Sequence, residues 1–220
     1  MGTGLSLAVL LVLPQGLPRN EGTLRNEEFP YLSPMATHRI QHDRGGIFFC
    51  TFTCYRWLPL IEHTDSYDRV YSWMEMAREQ HFRVLSFVIM PNHFHGVFHV
   101  PEGASINKLL ANGKRFLAYD IISRLKAKDD QETLGMLQAA VRPGDAVRGQ
   151  KHRVFRTSSD IRECLSRNMV QQKVDYIHAN PVSKNWTLAG SPADYPHSSA
   201  GFYERGEPHG DWLTHYHEVW

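Results

Sequence analysis

From Gly46 onward, the apolar and polar positions alternate between two periods. IFFCTFTCY (47–55) is β-branched and aromatic with a period of two, which predicts a strand. In DSYDRVYSWMEMAREQHF (65–82), Val70, Trp73, Met74 and Ala77 recur at helical spacing, and Asp65 or Ser66 stands where a cap belongs. VLSFVIMPNHFHGVFHV (84–100) returns to strand character and breaks at the turn-prone pair Pro91-Asn92, giving two strands. SINKLLANGKRFLAYDIISRLKA (105–127) predicts a helix capped by Ser105, with Ile106, Leu109, Leu110, Phe116, Leu117 and Ile121 on its buried face. Residues 129–150 are polar, contain Pro143 and Gly144, and read as a long loop. RVFRTS (153–158) predicts a short strand and DIRECLSRNMVQQKVDYIHAN (160–180) a helix. Pro181 ends that helix, because proline disfavours helical geometry in the residue before it.

The resulting order, βαββαβ and a closing helix, fits an α+β fold. The arrangement expected is ferredoxin-like, an antiparallel sheet with helices on one face. A chain of 220 residues accommodates one core, here residues 35–220, and no internal repeat is visible. Residues 1–34 read as a disordered or overextended N-terminal segment. LSLAVLLVL (5–13) resembles the middle of an export signal, but it lacks a basic flank and is too short to span a bilayer. Cys50, Cys54 and Cys164 are too few and too scattered for a disulfide framework or a zinc motif, and suit reduced core positions in a cytoplasmic protein.

The candidate chemistry starts at His93 and His95. Residues two apart on a strand share a face, so both imidazoles lie side by side while Phe94 points into a core. Two such imidazoles can ligate a divalent metal; two polar positions on a half-buried strand fit the spacing equally well. Tyr176 and Asn180 are four apart and therefore share a helical face. A tyrosine hydroxyl titrates near pH ~10 and is a weak nucleophile at neutral pH, so it needs help of the kind a metal gives to a phosphate.

PNHFH, followed by YIHANPVSKNW and then DYPHSSAGFY, resembles the single-tyrosine HUH transposases, in particular the REP-associated tyrosine transposases with their IS200-like domain. The resemblance runs from about Gly46 to Tyr203. It implies that His93 and His95 bind Mg²⁺ or Mn²⁺, that Asn180 completes the metal site and that Tyr176 is the nucleophile. It further implies a DNA endonuclease and strand transferase acting in DNA transposition on single-stranded or hairpin DNA through a 5′-phosphotyrosine link. Such a protein is nucleoid-associated when bound to DNA. A domesticated protein that nicks repetitive palindromic elements, a non-catalytic nucleic-acid-binding module and a metal-dependent hydrolase stay open as alternatives, as do monomer and homodimer. His178 falls on another helical face and takes no role.

The net charge of +1 excludes a uniformly basic surface, so a DNA footprint has to be local. Lys114, Arg115, Arg153, Arg156 and Lys173 are the basic residues expected to hold phosphates. Trp186 can stack on unpaired bases, with core packing equally open.

Overall fold

The structure is a computed structural model that describes residues 45–183 and 186–219. The segment 1–34 lies outside the described residues. Four strands, β1 (Gly46–Thr53), β2 (Arg83–Ile89), β3 (His93–Val100) and β4 (Asp160–Glu163), form one antiparallel sheet in the order β2-β3-β1-β4. The helices are α1 (Leu60–His63), α2 (Tyr67–Glu79), α3 (Ile106–Ala127), α4 (Gln131–Ala139), α5 (Pro143–Val147), α6 (Arg167–Ala179) and α7 (Ala200–Arg205). None of the described helices is long and apolar enough to cross a membrane.

The sheet carries helices on both faces, not on one. Phe48, Cys50, Phe52, Phe94 and Phe98 pack with α2, α3 and α4 into one core. Ile47, Phe49, Leu85, Val88 and Val97 pack with Val170, Val174 and Ile177 of α6 into a second. The physical reason is visible in β1, where Ile47 and Phe49 are buried on one face and Phe48, Cys50 and Phe52 on the other, the pattern of a strand covered on both sides. Nor is α6 the last helix, since α7 follows it.

Three further expectations change. RVFRTS does not enter the sheet beyond a single bridge, Cys54 to Phe155; the fourth strand is Asp160–Glu163, and α6 begins only after Ser166, which accepts from the Met169 amide at 3.3 Å. The long loop contains α4 and α5, with Leu134 and Leu137 buried against the larger core. Phe116 is not buried but 42% exposed. Cys50, Cys54 and Cys164 are free and buried, as expected.

The segment after Trp186 closes the outer edge of β2. Ile89 donates its amide to the His197 carbonyl at 2.8 Å, Ser199 to that of Phe87 at 3.0 Å, and the Tyr203 hydroxyl to that of Leu85 at 2.6 Å. An edge satisfied in this way cannot template pairing with another chain.

α3 crosses α2 at Gly113, where an added Cβ would stand 2.5 Å from the Trp73 ring. Gly135 in α4 has no atom within 4 Å of such a Cβ. Replacing glycine by alanine in a helix gains about 1 kcal/mol of propensity, whereas overpacking a core costs roughly 1–3 kcal/mol. Gly135→Ala is therefore expected to raise the urea midpoint and Gly113→Ala to lower it, and equal shifts for the two would contradict this packing.

Candidate active site

β3 sets the site through its alternation. Phe94 is fully buried in the larger core, while His93 and His95 emerge on the α6 face with ring centroids 4.7 Å apart. Antiparallel pairing puts Thr53 beside His93 and Thr51 beside His95. Thr51 Oγ1 and His95 Nδ1 share a hydrogen bond of 2.6 Å, and Phe49 stacks on the His95 ring with centroids 5.7 Å apart.

His93 is oriented by the turn before it. Asn92 donates from Nδ2 to the Trp57 carbonyl at 2.9 Å, so its Oδ1 is the atom that meets His93 Nδ1, at 2.6 Å. An amide oxygen only accepts, so Nδ1 carries the proton and Nε2 keeps its lone pair. Arg56 and Trp57 both adopt left-handed backbone angles, φ 53° and 60°, a conformation that costs a non-glycine residue roughly 1–2 kcal/mol. This turn delivers the Trp57 carbonyl to Asn92.

α6 supplies the opposite wall. Val170, Val174 and Ile177 turn into the second core, which leaves Lys173, Tyr176 and Asn180 along one side. The Tyr176 ring meets that of His95 edge-on at 5.3 Å between centroids, and Phe49 at 6.0 Å. The Asn180 side chain is near enough to His93 to act against the fall in its pKa. Pro181 does not push Asn180 out of helical geometry: Asn180 has φ −56° and ψ −48°, and the chain runs on as a 3-10 turn to Val182. Asn180 consequently stays one helical turn from Tyr176. Tyr176 is 40% exposed, open to a large substrate.

Burial makes this pocket a neutral one. It lowers the His93 pKa to about 4, with Asn180 opposing, and it holds His95 well below the usual histidine range, helped by His93 and Lys173. Lys173 Nζ lies 4.8 Å from the Phe49 ring centroid and 5.9 Å from that of Tyr176. Its pKa is lowered by burial and then by Arg162. Among the described residues no group of three His, Cys, Asp or Glu could hold a metal ion.

The basic residues separate into different roles. Lys114 is turned inward and donates to the Arg156 carbonyl at 2.8 Å, tying down the 156–159 segment; burial lowers its pKa to about 8. Arg115 lies over Phe116 on α3, on the sheet face away from the histidines. Arg153 lies over the Tyr55 ring, and Arg156 donates its amide to Thr53, the residue paired with His93. Of the five, Lys173 stands at the histidine pair itself. Trp186 is partly buried against the second core, its ring 6.1 Å from His93.

Sequence reasoning gave no site role to Thr51, Asn92, Trp57 and Asp160, and placed Arg162 only among the basic residues around the last helix. Asp160 pairs with Thr51, Arg162 pairs with Phe49, and the two form an ion pair of 3.1 Å at the rim. The β1–β3 and β1–β4 registers bring these together, and no local pattern encodes a register. His178, given no role from sequence, is buried with Nε2 2.8 Å from Ser199 Oγ and 3.3 Å from Ser86 Oγ, on the far side of α6.

No protein-family description and no curated protein matches the sequence. A solved structure, that of a REP-associated tyrosine transposase bound to a REP hairpin, does resemble this chain. The TM-score is 0.52 at 20% identity, over 83% of this chain and 96% of that one. At this identity the likeness establishes a common mixed α/β fold.

Burial lowers the pKa of both His93 and His178 from the usual 6.5 to about 4. Below pH 6.5 the unfolded chain takes up protons that the folded chain refuses, so stability is lost as pH falls from 6.5 towards 4. The urea midpoint is expected to drop between about pH 7 and pH 5, and a flat profile over that window would contradict the buried neutral state.

Proposed function

We propose that this chain is a metal-dependent single-stranded DNA endonuclease and strand transferase of transposase type, with Tyr176 as its nucleophile. The observation that carries the reading is the meeting of two elements far apart in sequence. The Tyr176 ring stands 5.3 Å from that of His95, and Asn180, one turn on, is near enough to His93 to oppose the fall in its pKa. The strand order β2-β3-β1-β4 supports the ferredoxin-like arrangement, and the likeness to a transposase bound to a REP hairpin supports DNA as the partner.

The residues present fit a divalent ion. Burial keeps both imidazoles neutral, and Nδ1 of each is engaged, by Asn92 at His93 and by Thr51 at His95, so Nε2 is the atom of each that would face an ion, and the Asn180 amide can add an oxygen. Three neutral donors are few for Mg²⁺ or Mn²⁺, which favour oxygen, so the substrate's phosphate would supply the remainder. Bound by His93, His95 and Asn180, the ion would polarise that phosphate.

The chain's own groups account for the rest. Tyr176 Oη would attack phosphorus, forming the phosphotyrosine O–P bond as the bond to the 3′ oxygen breaks. The phenolic proton passes through solvent to the departing 3′ oxygen, which leaves as a hydroxyl. Phosphodiester energy is conserved, so a later 3′-hydroxyl can reverse the step without ATP. Lys173, beside the tyrosine ring, is suited to offset negative charge on the transferring group. The half-exposed tyrosine suits a polymer laid across the site.

Incubation with single-stranded hairpin DNA and Mg²⁺ or Mn²⁺ is expected to give a protein–DNA adduct that survives denaturant and is abolished by chelation. Tyr176→Phe is expected to reduce adduct about 1000-fold or more, and His93→Ala or His95→Ala to do the same with Tyr176 intact. Adduct persisting in Tyr176→Phe would remove the nucleophile assignment. Cleavage without adduct would transfer the attack to water.

A further inference from the structure

We infer that Trp57 is a stacking platform for one unpaired base beside the reacting phosphate, an inference that rests on the DNA-cleaving reading above. Three observations converge on it. First, Trp57 is 46% exposed, whereas Trp73 and Trp212 are 2% and 8% exposed and belong to the core. An indole left half in water next to a buried polar pair is not packing.

Second, the ring sits at the histidines and is held there. Its centroid lies 5.7 Å from that of His93 with the planes at 79°, so the indole is not stacked on the imidazole. The Trp57 amide donates to the Cys54 carbonyl at 3.2 Å, its own carbonyl accepts from Asn92 at 2.9 Å, and the Tyr55 amide donates to Val154 at 2.7 Å. These bonds sustain two consecutive left-handed residues, Arg56 and Trp57. Backbone strain of this kind persists where the surroundings over-determine it, and it clusters at ligand clamps.

Third, cations gather on the same turn. The guanidiniums of Arg56 and Arg153 lie 5.7 Å and 5.1 Å from the centroid of the Tyr55 ring, two residues before Trp57. A half-exposed indole on a turn that also carries two cations matches one nucleotide, with the base on Trp57 and its phosphate towards the Tyr55 end of the turn. Stacking of this type reads the presence of a base more than its identity, since every base has a π-face.

The test uses the full chain and two pools of labelled hairpins with single-stranded tails, one pool with randomised bases and the other with abasic sugar-phosphate tails. Binding is read by fluorescence anisotropy in chelator, where cleavage is silent. Wild-type protein is expected to bind the base-bearing tails about 10-fold more tightly, and Trp57→Leu to lose that preference while Trp57→Phe keeps most of it. Wild-type protein that does not distinguish the two pools overturns the inference without recourse to any variant. A Trp57→Leu protein that retains the preference also overturns it, and so does one that weakens both pools equally. The wider reading fails separately. Base-dependent binding without a Tyr176 adduct overturns that reading and leaves the platform, whereas an adduct with base-independent binding does the reverse.

Discussion

The geometry of this domain depends on the register between β1 and β3. Antiparallel pairing of Thr51 with His95 and Thr53 with His93 sends both imidazoles to the α6 face, and the same alternation sends Phe94 and Phe98 to the other. A slip of one residue would exchange the two sets, burying imidazoles among Trp73 and Phe52 and turning phenyl rings towards Tyr176. Such a slip is costly on both faces at once, because each face has its own apolar core. A sheet buried on two sides therefore fixes its polar exceptions more firmly than a sheet with one solvated face. Gly96 contributes here, since a Cβ at that point would stand 2.7 Å from the Phe94 ring.

Within that frame the cluster is held by hydrogen bonds to neutral partners. Thr51 engages His95, Asn92 engages His93, and the Trp57 carbonyl settles which way the Asn92 amide faces. No carboxylate takes part in these bonds. Burial and neutrality reinforce one another: a charged imidazole would lose hydration there, and the neutral form keeps a lone pair available. Lys173 and the Asp160–Arg162 ion pair stand at the edge of the same pocket, which leaves Lys173 as the unbalanced positive charge beside a neutral centre. That distribution suits an anion that brings its own charge to the site.

Much of this was legible in the sequence, and the reasons for the remainder are physical. The period-two run around Phe94 identified the face shared by His93 and His95, and four-residue spacing put Tyr176 and Asn180 on one side of a helix. The strand Asp160–Glu163 escaped notice because an edge strand of four residues with one apolar side chain has no period to detect. RVFRTS looked stronger than it is. It runs beside the turn that ends β1, where little remains to pair with beyond one bridge. Proline at 181 does end α6, which stops at Ala179, and only the 3-10 turn that follows and keeps Asn180 in helical geometry was not legible. The second core was hidden in plain composition, since Ile47 and Phe49 already made β1 apolar on both sides. Contacts created by register or by a left-handed turn, such as Thr51 to His95 and Trp57 to Asn92, have no counterpart in any local pattern.

The closing of the β2 edge by residues 197–203 has a bearing on the order in which the molecule becomes complete. The Ser199 hydroxyl is shared between that edge and His178, so the last part of the chain helps to seat α6. The cluster thus joins residues from β1, β3 and α6, braced by a segment made later still. Long-range contacts of this kind form late, after loop entropy has been overcome. A nascent or partly degraded chain would carry the histidine strand without the tyrosine helix docked against it. The histidine–tyrosine cluster is thus a property of the finished fold and of none of its pieces.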